Sequence, residues 1–333
     1  MKIALIGLGQ WGPRLIPKLL NHACVDGIYG YDIDEARRHR ISSEFPEVNV
    51  VSDYHEILQN PEITGVVIAT PVTSHYLPAR QALEHGKHVL VEKPLTSSVV
   101  DAANLVELAK LHDLKLMVDH ITVYSGAVRK LKQLIDSQML GEILYFDAVR
   151  SNLGMLQRDV NVVWDLAIHE FAVLDYLIGE LPRAVSGVGS FHCSKQEEIA
   201  HITLHYENDI VAHVHVSWIS PVKTRRLIIG AKKRMVVFDD TSMQEKIRLF
   251  DSGVDVLCGE GSAHPAISYR RGCAEVLGYD QIEPLVLMFD TFLGSIEQGH
   301  APLTDGEAGL RLVKMLAAVD ESIKRNGVKV PLS

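Results

Sequence analysis

Apolar residues fall along this chain in two rhythms. Through the first third, short continuous apolar runs alternate with stretches of helical spacing, so that 2–6, 28–31, 64–69, 87–92 and 114–118 read as strands with helices between them. Unbroken apolar runs of this length fit strands covered on both faces, as in a parallel sheet packed between helices. The pattern predicts an α/β doubly wound parallel sheet, a Rossmann-type layer. Ser74 and Ser97/Ser98 are expected N-caps, and Gly86 is expected to end the helix that runs to His85. The carboxyl ends of the strands, at Gly7, Asp32, Thr70, Glu92 and Asp119, are expected to line one crevice.

After Asp119-His120 the rhythm changes. A helix over 125–138 is closed by Gly141, a strand follows at 143–150, and 165–178 has helical spacing. Between 185 and 250 the chain is rich in strands with no helices between them, which predicts a large, mainly antiparallel sheet in a second, α+β domain. In the hairpin 201–218, Ile202, Leu204, Tyr206, Ala212, Val214, Val216 and Trp218 form one apolar face. The other face carries His201, Thr203, His205, His213, His215 and Ser217, and is expected to meet solvent or another subunit. No carboxylate or cysteine joins these histidines in the sequence, so no metal site is expected. The stretch 251–281 has the least pattern and is expected to be loop, and amphipathic helices at 283–298 and 306–324 close the domain. The division expected is 1–121 for a dinucleotide-binding domain and 122–333 for a domain that binds substrate and mediates assembly.

Composition narrows the classes of function. Apolar residues make up 47% of the 333 positions and the formal net charge is −9, with both signs interspersed, which argues against a nucleic-acid surface. No run of about 18 apolar residues exists, so no membrane span is expected. The chain enters its first strand without the apolar core of a signal peptide, and Cys24, Cys193, Cys258 and Cys273 are scattered. Both features predict a cytoplasmic protein with reduced thiols.

The candidate chemistry sits at strand ends. Gly7-Leu8-Gly9-Gln10-Trp11-Gly12 lies between a strand and a helix that Pro13 opens, the context a dinucleotide turn requires. Gly7 permits the tight turn, Gly9 lets a pyrophosphate approach, and Gly12 lets helix pack on strand. Asp32 ends the second strand, where an acid accepts from the ribose hydroxyls of NAD and repels the 2′-phosphate of NADP. Arg37 and Arg38, a turn further on, keep NADP as the second choice. Val89-Leu90-Val91-Glu92-Lys93-Pro94 is an apolar strand that Pro94 stops, holding Lys93 at the sheet's carboxyl edge. A strand-end lysine facing water is the plain alternative. Asp165 and His169 stand four apart at a helix start and share a face. Together Lys93, Asp165 and His169 would supply a base for a hydroxyl proton and a polar group to hold the oxygen during alcohol oxidation.

Gly7-x-Gly9-x-x-Gly12, Ala69-Thr70-Pro71 with His75, Glu92-Lys93-Pro94 and Asp165-x-x-x-His169, in that order, resemble the Gfo/Idh/MocA family of sugar and inositol dehydrogenases. The resemblance implies that Lys93, Asp165 and His169 form the catalytic set. It implies NAD contacts from Gln10, Trp11, Thr70, Pro71, His75, Glu92 and Lys93 besides the glycines and Asp32, and a homodimer or tetramer formed through the open second sheet. The run from Asn152 to His169, Trp218–Lys223 and Thr304–Glu307 are similar to the branch that acts on nucleotide sugars such as UDP-N-acetylglucosamine. That likeness implies substrate contacts from Tyr124, Arg158, Asn161, Trp164 and His169, with Lys223, Arg225 and Arg226 as further candidates for a diphosphate. Ile168, Glu170, Gln157 and Ser125-Gly126 depart from the family's pattern, all on the substrate side. The activity expected is NAD-dependent oxidation of a secondary sugar hydroxyl, at C3 of a UDP-linked amino sugar. The alternatives are a keto-sugar reductase, a free-sugar or inositol dehydrogenase, and a non-catalytic regulator that senses NAD and sugar.

Overall fold

The computed structural model describes residues 1–157, 159–257 and 266–332. The chain forms two compact units, one of residues 1–124 and 282–314, the other of residues 125–281 and 315–333.

In the first unit the elements are β1 (Lys2–Ile6), α1 (Gly12–Leu20), β2 (Gly27–Tyr31), α2 (Glu35–Glu44), β3 (Val48–Val50), α3 (Tyr54–Gln59), β4 (Ile63–Ile68), α4 (Tyr76–Glu84), β5 (His88–Glu92), α5 (Val99–Leu111) and β6 (Leu116–Asp119). The strands pair in parallel in the order β3-β2-β1-β4-β5-β6. The chain winds outward from β1 through β2 to β3, then crosses back to β4, so the strand order reverses at the carboxyl ends of β1 and β4, where open α/β sheets bind ligands. Ile3, Ala4, Leu5, Val89 and Val91 are fully buried, as strands covered on both faces require. Ser98 caps α5 through its side chain, which accepts from the Asp101 N–H at 3.4 Å. Ser74 does not cap α4. It closes a one-turn 3₁₀ segment, Val72–Ser74, and the cap position falls to His75.

The first break falls after Tyr124, close to the expected 121, but residues 282–314, expected in the second domain, belong to the first unit. Helix α8 (Pro284–Gln298) carries Met288, Phe289, Phe292 and Leu293 into one core with Ile3, Leu5, Leu15, Ile16 and Leu19. Helix α9 (Gly306–Lys324) begins beside β6. Just before it, Thr304 accepts from the Val118 N–H at 2.8 Å and its hydroxyl donates to the Val118 carbonyl at 2.6 Å. Residues of α9 up to Lys314 belong to the first unit and the later ones to the second. An amphipathic pattern shows which residues of a helix are buried, not which sheet buries them.

The second unit holds α6 (Gly126–Asp136), β7 (Ile143–Leu153), α7 (Ile168–Ile178), β8 (Ala184–Ser190), β9 (Ile199–His205), β10 (Val211–Ser217), β11 (Ile219–Ala231), β12 (Met235–Asp239), β13 (Ile247–Leu257), β14 (Ala266–Val276) and β15 (Val330–Pro331). These strands form a nine-stranded sheet in the order β14-β13-β12-β11-β7-β10-β9-β8-β15, with β7 and β10 parallel and the other pairs antiparallel. The apolar face expected for 201–218 is buried throughout, Trp218 and Tyr206 being among the largest enclosed side chains. Its histidine face is open, with His201 and His213 exposed. The expected loop at 251–281 is instead largely β13 and β14, paired as a long hairpin. Val254, Ile267, Tyr269 and Val276 stay exposed there, so no buried face imposes the alternation by which a strand is recognised.

Candidate functional site

The glycine turn is closed by contact. Gly7 has a φ of +97°, and a Cβ on it would lie 2.6 Å from the Ala69 carbonyl oxygen. A Cβ on Gly12 would lie 2.2 Å from the Gly7 oxygen, so only glycine lets α1 start against the turn. The Gly7 N–H donates to the Tyr31 carbonyl at 2.9 Å and the Ala69 N–H to the Ile6 carbonyl at 2.7 Å, which ties the ends of β1, β2 and β4 together.

Above these ends lies a cavity of about 880 Å³, a size that suits a small organic ligand or part of a dinucleotide. Gly7, Gly9, Gln10, Trp11, Asp32, Thr70 and Pro71, all expected at the cofactor, line it. Asp32 is buried, and its carboxylate accepts from the Leu8 N–H at 2.8 Å and the Asp34 N–H at 2.9 Å. Arg37 reaches the same carboxylate at 3.4 Å and lies over Gly9. Arg38 points elsewhere, donating to the Asp32 carbonyl at 2.7 Å, and Arg40 donates to the Leu8 carbonyl at 2.8 Å. Only Arg37 of the three lines the cavity. Two buried polar atoms here, Trp11 Nε1 and Thr70 Oγ1, have no partner within the protein. A glycine turn free of side chains, an acid at the end of β2 and unpaired donors in one cavity fit the adenosine and pyrophosphate portion of NAD.

Tyr31 and Tyr54 also line the cavity and were not expected there. Their rings stack at 5.8 Å, and the Tyr54 hydroxyl donates to the Pro78 carbonyl at 2.8 Å. Burial pushes that phenol above its usual range. Tyr31 ends β2 one residue before Asp32, a position that identifies it as a lining residue. Tyr54 comes from α3, and no local pattern marks it.

His75 is not a cavity wall. It is buried, with Nδ1 2.8 Å from the Pro94 carbonyl and Nε2 2.8 Å from the Thr70 carbonyl, so it holds the two loops in place. Burial lowers its pKa, and the hydrogen bonds to backbone carbonyls oppose that shift. Lys93 directly follows β5 and is joined to Pro94 by a cis peptide bond, and its charge reaches Glu92, Asp119, His120 and His75. Glu92 and Asp119 are register partners across β5 and β6. His120 is buried with neither ring nitrogen bonded, and burial lowers its pKa to about 3. Tyr124, expected at the substrate, is a core residue of this unit. Its hydroxyl is 3.0 Å from Thr304 Oγ1.

In the second unit Asp165 lies in a one-turn π-helical segment, Val163–Ala167, that runs directly into α7, where His169 is the second residue. Asp165 accepts from Trp218 Nε1 at 3.0 Å. Asn161 and Trp164 do not offer free polar groups to a substrate. The Asn161 amide donates to Glu197 and Asp320 at 3.0 Å each, and its oxygen accepts from the N–H groups of Val163 and Trp164. Trp164 is buried and donates to Asp320 at 2.7 Å. Both residues anchor the start of the π turn. Arg158 lies outside the described residues. Of the diphosphate candidates, Arg225 faces Asp240 at 3.5 Å. Arg150 and Glu170 form a buried ion pair at 2.6 Å.

On the open sheet His201 and His215 lie with their Nδ1 atoms 3.1 Å apart, and Asp147 of β7 stands 3.4 Å from His213. A carboxylate therefore does join the histidines, brought there by the parallel β7–β10 pairing. Among the described residues no group of three or more side chains has a metal-binding arrangement. No helix among them is long and apolar enough to cross a membrane.

Comparison with known proteins follows the same division. Residues 1–120 match the model of the GFO/IDH/MocA oxidoreductase family, NAD-binding Rossmann fold, and residues 128–237 match the GFO/IDH/MocA C-terminal domain. An uncharacterised oxidoreductase of Streptococcus pneumoniae is 25% identical over 225 residues, a match that spans 62% of this chain and 60% of that protein. The chain thus spans about three-fifths of the length of the first curated relatives it matches. A UDP-N-acetylglucosamine 3-dehydrogenase of Acidithiobacillus ferrooxidans is 25% identical over 320 residues, 94% of each chain. The solved structure of an enzyme of that name from the same organism superposes with a TM-score of 0.82 over 98% of each chain at 23% identity.

Proposed function

This chain belongs to the GFO/IDH/MocA oxidoreductase family, and we propose that it is an NAD-dependent dehydrogenase acting on a secondary hydroxyl of a sugar, with C3 of a UDP-linked amino sugar as the first substrate to test. The observation that carries the reading is the pairing, in one unit, of a cavity built around the glycine turn and Asp32 with a lysine at the carboxyl end of β5. The A. ferrooxidans relative, matched over nearly the full length of both chains, supports the choice of substrate.

NAD, when bound, supplies the hydride acceptor. Gly7, Gly9 and the first turn of α1 would hold its pyrophosphate and Asp32 its ribose. Lys93 is assigned the hydroxyl proton and His169 the second acid–base position, with Asp165 orienting that histidine. Asp165 is itself fixed by Trp218, which suits a group that positions another. The exposed histidine-bearing face of the second sheet is proposed to pack against a second copy of the chain, which sedimentation would report as a dimer or tetramer.

The test is NADH formation from NAD⁺ with UDP-N-acetylglucosamine, free N-acetylglucosamine, other UDP-sugars and myo-inositol. Turnover that needs the UDP group, and that is lost in Lys93→Met and His169→Ala while NAD still binds, supports the proposal. Full turnover in both variants would remove the role assignments. Tight NAD binding with no turnover on any sugar, in either direction, would favour a sensor.

A further inference from the structure

The first unit contains a buried acidic pair for which the dehydrogenase reading has no use. Glu92 ends β5 and Asp119 ends β6, and the parallel register sets them side by side. Asp119 is 3% exposed, and one oxygen of each carboxyl, Glu92 Oε1 and Asp119 Oδ1, is buried with no partner. Register partners point to the same face of a sheet, so the two carboxyls are neighbours. Two neighbouring buried carboxyls cannot both ionise without strong repulsion, and burial together with the charge of Asp119 raises Glu92 well above the carboxylate range, so the pair holds one proton and carries a single negative charge. The Lys93 N–H donates to Glu92 Oε2 at 3.3 Å.

We propose that Glu92 and Asp119 act as one proton-sharing monoanion that sets the protonation of Lys93 and takes the lysine's own proton, so that the freed amine can accept one from substrate. The proposal rests on the base role given to Lys93 above. Both are positioning residues, since they act through the lysine.

Net charge explains why the arrangement suits a buried site. In one state Lys93 is an ammonium and the pair is a monoanion. In the other the lysine's proton has moved to the pair, leaving a free amine beside two carboxylic acids. Both states are neutral overall, so the exchange places no new charge in a low-dielectric region. In the second state the amine accepts the hydroxyl proton as the C–H electron pair leaves as hydride to the dinucleotide. The substrate is oxidised to a ketone and NAD⁺ is reduced. Lys93 is then an ammonium again, and the doubly protonated pair releases one proton to solvent.

The other titratable groups facing Lys93 do not compete for this proton. His120, from the turn after β6, is held neutral by burial and by the lysine's charge, and burial likewise lowers the pKa of His75 at the start of α4. Tyr124 is pushed up by burial and stays a phenol. Burial raises both carboxyl groups, and Asp119 raises Glu92 further.

The experiment measures the lysine directly, so it does not depend on knowing the sugar. The full chain with NAD bound is labelled by acetic anhydride across pH, and acetylation of Lys93 is read by peptide mass spectrometry in wild type, Glu92→Gln, Asp119→Asn and the double variant. Thermal melting serves as the folding control. Each single variant keeps one carboxylate and its charge, so its labelling midpoint stays within about half a pH unit of wild type. The double variant removes the anion, and its midpoint falls by about one to three units, the shift expected on losing a close opposite charge. The infrared band of a protonated carboxyl at neutral pH is present in wild type and absent in either single variant. Superimposable labelling in wild type and double variant, or no carboxylic acid band in wild type, would overturn the proposal. Full turnover in Lys93→Met would instead overturn the base role while leaving these two readouts interpretable.

Discussion

Replacing Asp32 with serine should convert an NAD site into one that accepts NADP. The carboxylate is buried at the end of β2 and flanked by Arg37 at 3.4 Å. A charged acceptor bonded to a ribose hydroxyl contributes about 1.5–3 kcal/mol, so Asp32→Ser should raise the Kd for NAD by roughly ten- to a hundredfold. The same change removes one counter-charge of Arg37 and leaves Asp34, 3.5 Å from its Nε. Two unit charges about 4 Å apart near a surface interact by about 4 kcal/mol, but the Arg37 side chain is 49% exposed and exposed pairs retain about 1 kcal/mol or less. A gain of about 1–2 kcal/mol for a 2′-phosphate is the reasonable middle. Loss on one side and gain on the other move the NADP-to-NAD preference by about a hundredfold or more. Calorimetric titration of both cofactors into wild type, Asp32→Ser and Asp32→Ser/Arg37→Ala measures each part, since the double variant should lose the phosphate gain but not regain NAD. An unchanged preference in Asp32→Ser would refute the reasoning, and so would a phosphate gain that survives loss of Arg37.

Three further outcomes follow from the geometry. Gly12→Ala places a methyl 2.2 Å from the Gly7 oxygen and should cost about 1–3 kcal/mol with loss of NAD binding, seen as a lower melting temperature and no cofactor-induced stabilisation. Glu170→Ala leaves Arg150 buried and unpaired and should cost about 3–5 kcal/mol by urea denaturation, whereas Arg150→Met/Glu170→Leu should recover most of it. His120 titrates near pH 3 in the fold against 6.5 in the open chain, so the unfolded state binds its proton first. Its contribution is constant above pH 6.5 and falls by about 1.4 kcal/mol per pH unit below it, so His120→Phe should flatten that part of the acid limb in urea melts.

Where burial is one-sided or complete, the sequence was a sufficient guide. The strands of the first sheet, the glycine turn, Asp32 and the apolar face of the 201–218 hairpin lie where their patterns put them. Elements whose partners are distant in sequence were hidden. The α8 pattern does not say that Phe289 and Phe292 meet Ile3, and nothing near Tyr54 says that its ring stacks on Tyr31. The β13–β14 hairpin escaped notice because its exposed faces mix Tyr269 and Ile267 with Arg270, whose guanidinium bonds Asp255 at 2.9 and 3.0 Å. The partners of three candidate site residues are equally distant in sequence. Tyr124, Asn161 and Trp164 have the right chemistry for a substrate, but Thr304, Asp320 and Glu197, all far along the chain, already occupy their polar groups.

The return of α8 to the first sheet bears on how the protein is made. A ribosome releases all six strands long before it releases Met288 and Phe292, so that layer must wait, with Ile3, Leu15 and Leu19 uncovered, until α8 emerges. A fragment stopped at Tyr124 would hold every residue of the glycine turn and still lack the helix that seals the apolar layer behind it. Such a fragment should be recovered mainly in aggregates, and adding residues 282–314 through a short linker should restore it to solution.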